Sequence, residues 1–122
     1  MYEISVRLHF DAAHSLRGYQ GKCEKLHGHR YEVVAGLLAP HLNEIGLAYD
    51  FLELKKQLGE VISRFDHNNL NEMSPFDKLN PSAENLASYI YGQLQSAIGK
   101  SPVKVAYIEV WESPENRVVY RP

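Results

Sequence analysis

The sequence predicts an α+β fold, with an antiparallel sheet covered on one face by two helices. Three observations carry this. Residues 2–14 alternate apolar and polar side chains, and residues 27–38 do so again. Between residues 50 and 98, two stretches repeat apolar residues at helical spacing. The element order is β-β-α-α-β-β, in a chain of 122 residues that is the size of one domain, 1–122.

In the first strand Tyr2, Ile4, Val6, Leu8, Phe10 and Ala12 share one face, while Glu3, Ser5, Arg7, His9 and Asp11 share the other. His14 falls on the apolar parity and would point inward at the strand end. Residues 15–26 read as a loop, with Gly18 and Gly21 around Tyr19-Gln20. The second strand carries His27, His29, Tyr31, Val33, Ala35 and Leu37 on one parity. Pro40, Asn43 and Gly46 mark a turn region. Asp50 is a helix N-cap with Glu53 three residues on, as in a capping box. Phe51, Leu54, Leu58, Val61, Ile62 and Phe65 then form a helical stripe. Asp66 to Asn71 is a polar segment. Ser82 caps a second helix with Leu86, Ile90, Leu94 and Ile98 on one stripe, stopped by Gly99 and Pro102. Residues 103–112 form a third strand with Ala106, Ile108, Val110 and Glu112 on one parity, and residues 117–120 return as a fourth. So many strands in so short a chain leave sheet edges to cover, which points to a homo-oligomer.

Composition narrows the function classes. A net charge of -2 with no basic block gives no footprint for nucleic acid. One cysteine admits no internal disulfide and fits a reducing cytoplasm. The N-terminal residues show no signal-peptide pattern, and no apolar run reaches the ~20 residues that span a bilayer.

The chemistry gathers around Cys23-Glu24-Lys25-Leu26-His27-Gly28-His29. In a strand, residues two apart point to the same face, so His27 and His29 lie side by side. His14 arrives beside them from the preceding strand. Three imidazoles with an open fourth position describe a catalytic rather than a structural zinc site. Ligand type alone also admits iron, nickel or copper. The plain alternative for His14 is a hydrogen-bonded core histidine. Cys23, between Lys22 and Lys25 in a polar loop, suits a thiolate; the plain alternative is a small buried apolar residue. Asp66-His67 offers an imidazole and a carboxylate to orient it, or else a solvated helix-end dipeptide. Glu112, on an otherwise apolar face, can accept two N–H donors from a ligand, or else simply reaches solvent as the strand ends.

Five ordered motifs carry a resemblance: Phe10-Asp11-Ala12-Ala13-His14, Cys23 to His29, Asp66 to Asn71, Pro81-Ser82-Ala83-Glu84-Asn85-Leu86 and Trp111-Glu112-Ser113. The sequence resembles the 6-pyruvoyltetrahydropterin synthase family, and its compact length resembles the bacterial 6-carboxy-5,6,7,8-tetrahydropterin synthase branch of queuosine biosynthesis. The resemblance implies a T-fold (tunnelling fold) whose β-β-α-α-β-β units form trimeric barrels, commonly paired as hexamers, with sites between subunits. It implies one zinc per subunit on His14, His27 and His29. It makes Cys23 the general base, His67 and Asp66 a proton relay, and Glu112 the anchor of the pterin 2-amino-4-oxo edge. Backbone around Ser82 would line the pterin pocket, although the family more often has threonine there. The implied substrate is 7,8-dihydroneopterin triphosphate.

Glu24 departs from the pattern, because the carboxy-forming branch usually has glycine after the cysteine. A related subfamily resembles aldolases that cut dihydroneopterin to 6-hydroxymethyl-dihydropterin, and has glutamate three residues before His-Gly-His without the cysteine. This chain has both Cys23 and Glu24, so a folate-directed activity, alone or alongside the first, is the alternative. A pyruvoyl-forming synthase is another. A non-enzymatic pterin- and zinc-binding protein would leave the thiol and Asp66-His67 without purpose.

Overall fold

A computed structural model describes all residues, 1–122. Two long strands form its frame. β1 (Tyr2–His14) and β2 (His27–Ala39) pair antiparallel along their whole length, from Tyr2 opposite Ala39 to His14 opposite His27. β4 (Lys104–Trp111) pairs with the other edge of β2, and β5 (Arg117–Tyr120) pairs with β4. A two-residue strand missing from the sequence-based expectation, β3 (Asn68–Asn69), lies parallel to Ala12–Ala13 of β1. The sheet therefore has five strands in the order β3-β1-β2-β4-β5.

Both helices cover one face of this sheet. α1 (Phe51–Ser63) buries Leu54, Leu58 and Ile62 against the β1 side, and α2 (Ala83–Ile98) buries Ala83, Leu86, Ala87, Ile90 and Leu94 against β4 and β5. Each fully buried Leu or Ile side chain contributes about 1.5–3 kcal/mol by leaving water. Phe51, expected on the buried stripe, is instead 51% exposed at the first position of α1. Asp50 caps α1 through Leu52 N–H at 2.8 Å, and Ser82 caps α2 through Asn85 N–H at 3.1 Å.

The expected parity of the third strand holds at Ile108 and Val110 but not at Ala106. The β2–β4 register shifts between Gly36 and Leu37: Gly36 faces Tyr107 and Leu37 faces Val105, so Ala106 is the unpaired residue of a bulge. One extra residue inverts the face, and Val105 takes the core position. Beyond the bulge the alternation carries Ile108, Val110 and then Glu112 toward the helix side.

Candidate metal and substrate site

The strand ends converge on three imidazoles. His14 closes β1 opposite His27, which opens β2, while His29 lies opposite Ala12 on the same face. Ring centroids are separated by 4.6 Å for His14–His27, 4.7 Å for His27–His29 and 5.1 Å for His14–His29. One ligand nitrogen from each lies within 4.8 Å of the other two. His14 is buried at 1% exposure, and the other two are half-buried.

Outer contacts decide which nitrogens point inward. Nδ1 of His14 is 2.7 Å from the Pro81 carbonyl oxygen, and Nδ1 of His27 is 2.7 Å from that of Lys25. A carbonyl only accepts, so both Nδ1 atoms carry the proton. In the neutral rings, each Nε2 therefore presents a lone pair, and the two Nε2 atoms lie 3.1 Å apart. Lone pairs facing at that separation repel, and a shared cation relieves them. Backbone carbonyls that fix the tautomer of a ligating histidine are the usual support of a metal site. Burial pushes His14 and His29 below the ordinary imidazole value, which keeps them in the neutral form that binds metals. The donor set thus fits a zinc-like ion.

Glu112 stands at the mouth of this cluster. It follows β4 directly, and its Oε2 is 3.7 Å from Nε2 of His14. Its backbone N–H is held by the Asn116 carbonyl at 3.1 Å across the turn into β5. The carboxylate is part-exposed, so both its oxygens remain available to a ligand. The start of α2 closes another side: Pro81 holds His14, and Ser82, its hydroxyl engaged in the cap, follows at once.

Tyr31 is the member of this site that sequence reasoning missed. Continuing the β2–β4 register by one residue sets it opposite Glu112. Its ring is stacked on Phe10 at 4.9 Å and meets His14 and His29 edge-on at 5.7 and 5.5 Å. Its hydroxyl is buried without a hydrogen-bond partner in the protomer. Burial, with the Glu112 charge, raises its pKa, so the hydroxyl stays a donor. The available signal was its parity with His27 and His29, which also suits a plain core aromatic.

Cys23 and Asp66-His67 occupy separate places. Cys23 sits half-buried on a single 3-10 turn, Lys22–Glu24, and its sulfur lies outside the imidazole cluster. Glu24 is exposed on the same turn. Asp66 is built onto the outer edge of β1. Its Oδ1 accepts from Asp11 N–H at 3.0 Å and lies 3.1 Å from Nδ1 of His67. These contacts, the Asp11 N–H first, hold the Asp66 carboxyl below the usual carboxylate range. His67 has a left-handed backbone with φ of 60°, tied by its N–H to the Asp11 carbonyl at 2.6 Å. A non-glycine residue held there is often functional. No hydrogen bond joins the Cys23 thiol to His67 within the protomer, although the sequence suggested them as partners. An open depression of about 540 Å³ brings His29 and His67 to a common surface, together with Asp11, Gly28 and Asn68.

The T-fold architecture and its histidine cluster define a class, and the comparisons agree. The chain belongs to the 6-pyruvoyl tetrahydropterin synthase family, whose model matches residues 3–122. A 6-carboxy-5,6,7,8-tetrahydropterin synthase of Bacillus subtilis is 30% identical over 128 residues, covering 99% of this chain and 86% of the relative. A dihydroneopterin monophosphate aldolase of Pyrococcus furiosus is 34% identical over 115 residues, covering 92% of this chain and 90% of the relative. The solved structure of Caenorhabditis elegans 6-pyruvoyl tetrahydropterin synthase matches with a TM-score of 0.90 at 26% identity, covering 99% of this chain and 95% of that one.

Proposed function

We propose that this chain, a single domain over 1–122, is a zinc-dependent lyase. It converts 7,8-dihydroneopterin triphosphate and one water to 6-carboxy-5,6,7,8-tetrahydropterin, acetaldehyde and triphosphate. The observation that carries this is the Glu112 carboxylate 3.7 Å from Nε2 of His14, an acceptor for two N–H donors beside a cluster fit for a metal. The carboxy-forming relative of Bacillus subtilis supports the choice of product.

His14, His27 and His29 would hold one zinc per subunit. Bound there, zinc supplies a Lewis acid that polarises an oxygen and acidifies a hydroxyl. Glu112 accepts the 2-amino and ring N–H groups and fixes the heterocycle. Backbone at Ser82 lines the same pocket. Cys23 as thiolate takes a proton from the substrate side chain, and His67, oriented by Asp66, passes protons onward. Because Cys23 and His67 are not joined within one protomer, the complete group belongs to an assembly with sites between subunits. We take that assembly to be a trimer or hexamer in the cytoplasm, serving the queuosine pathway.

A second reading is favoured by Glu24 together with the Pyrococcus aldolase. There Glu24 takes the proton of the side-chain 2′-hydroxyl, the C1′–C2′ bond breaks, and dihydroneopterin is cut to 6-hydroxymethyl-dihydropterin and glycolaldehyde, alone or beside the first activity. Incubating zinc-loaded protein separately with dihydroneopterin and its triphosphate, with products identified by mass spectrometry, tests both. The first reading requires 6-carboxytetrahydropterin and acetaldehyde from the triphosphate, with the yield lost in Cys23→Ala. Release of 6-hydroxymethyl-dihydropterin that is lost in Glu24→Gln but kept in Cys23→Ala supports the second. No product from either substrate overturns both.

A further inference from the structure

The loop between β1 and β2 is held in an unusual way. At the exit of β1, Asn71 pairs with both backbone groups of Ser15: its Oδ1 accepts the Ser15 N–H at 2.8 Å, and its Nδ2 donates to the Ser15 carbonyl at 2.9 Å. Two residues on, Asn80 repeats the pattern with Arg17, at 2.9 and 2.8 Å. Two side-chain amides thus stand in for a neighbouring strand and supply two rungs of a ladder where none exists. The Arg17 guanidinium adds bonds to the Phe76 and Leu79 carbonyls at 2.8 and 3.0 Å. Asn80 is itself fixed, because Asn85 Nδ2 donates to its carbonyl at 2.8 Å.

Between the two rungs lies Leu16, whose N–H points the other way and donates to the Cys23 carbonyl at 2.8 Å. The turn bearing Cys23 otherwise bonds through Glu24 N–H to Gly21, Lys25 N–H to Lys22 and, at its far end, the Lys25 carbonyl, which accepts from the His27 side chain. The Leu16 bond is therefore the turn's one backbone tie to the strap Ser15–Arg17. A loop with glycines at both Gly18 and Gly21, each at positive φ, has no intrinsic rigidity to place a thiol. The strap provides it from outside.

We propose that Asn71 and Asn80 are positioning residues that lock the strap Ser15–Arg17, and through the Leu16–Cys23 bond set where the Cys23 thiol stands. This rests on the reading of Cys23 as the proton-accepting group. Neither asparagine touches substrate; each acts on the backbone that carries the turn. A thiol moved by about an ångström loses most of its rate advantage in proton transfer, so the effect falls on turnover rather than on binding.

The test uses the zinc-loaded protein and the double variant Asn71→Ala/Asn80→Ala, with Asn80→Asp as a milder partner. Asn80→Asp keeps the acceptor for Arg17 N–H and loses the donor to its carbonyl. Three readouts separate positioning from general damage. Hydrogen exchange at the Leu16 amide should accelerate in the double variant while the β2 core amides keep their protection. Cys23 is the only cysteine, and its alkylation by iodoacetamide should become several-fold faster as the turn loosens. In steady-state kinetics kcat should fall about tenfold or more with KM little changed, and the same substitutions in a Cys23→Ala background should cost nothing further. Unchanged Leu16 exchange and unchanged alkylation overturn the proposal. So does an equal loss of rate with and without Cys23, or a loss of zinc, which would mean that the strap acts through His14. If wild-type protein turns over neither pterin substrate, the catalytic reading fails, and exchange and alkylation still decide whether the asparagines hold the turn.

Discussion

At the scale of single residues, the site stands out by what its atoms do with their hydrogen bonds. His14 and His27 each spend their one proton on a backbone carbonyl and turn bare Nε2 atoms toward each other. Tyr31 keeps a buried hydroxyl without an acceptor. An unmade bond of that kind costs about 1–3 kcal/mol, so Tyr31→Phe should raise the unfolding free energy of the metal-free protein by roughly 1 kcal/mol in urea titration. A lowered value would mean that the hydroxyl has a partner after all. The imidazoles also predict an acid response. His14 and His29 lie below their ordinary value of 6.5 in the folded chain, chiefly because they are buried, so the unfolded chain binds protons more readily. Stability of the metal-free protein is then present above that value and lost as the pH falls below it. Denaturation midpoints should drop on going from neutral to about pH 5 and recover on return. A flat profile would contradict the assigned burial.

At the scale of elements, most of the frame was legible because its physical rules are local. Alternation in residues 2–14 and the helical stripes depend only on neighbours along the chain, and Asp50 and Ser82 cap the helices as their chemistry suggests. His14, His27 and His29 were legible as a cluster for the same reason, since strand parity and one antiparallel pairing bring them together. What escaped depends on contacts across the fold. β3 is two asparagines that become a strand only beside Ala12 and Ala13. The bulge at Ala106 arises opposite Gly36, where a Cβ would sit 2.2 Å from the Tyr107 ring. The separation of Cys23 from His67 is likewise invisible to spacing. Gly36→Ala should therefore lose about 1–3 kcal/mol through that clash, and Tyr107→Ala in the same chain should recover part of it. Equal losses with and without Tyr107 would show that the ring is not what excludes a side chain.

At the scale of the whole molecule, two features ask for neighbours. β3 covers Ala12 and Ala13 of β1, and Asp66 and His67 occupy the backbone of Asp11, so residues 2–10 form an open edge, and β5 presents another at the far side of the sheet. Open edges of that length are a template for pairing with further copies. Mass photometry should find a trimer or a hexamer, and a stable monomer at micromolar concentration would sink the assembled site. The account stands most directly on the nature of the metal centre. X-ray absorption at the zinc edge of the purified protein should show three imidazole nitrogens and a further light atom in the first shell at about 2.0–2.1 Å. A sulfur shell at about 2.3 Å would make Cys23 a ligand instead of the base, and would contradict it.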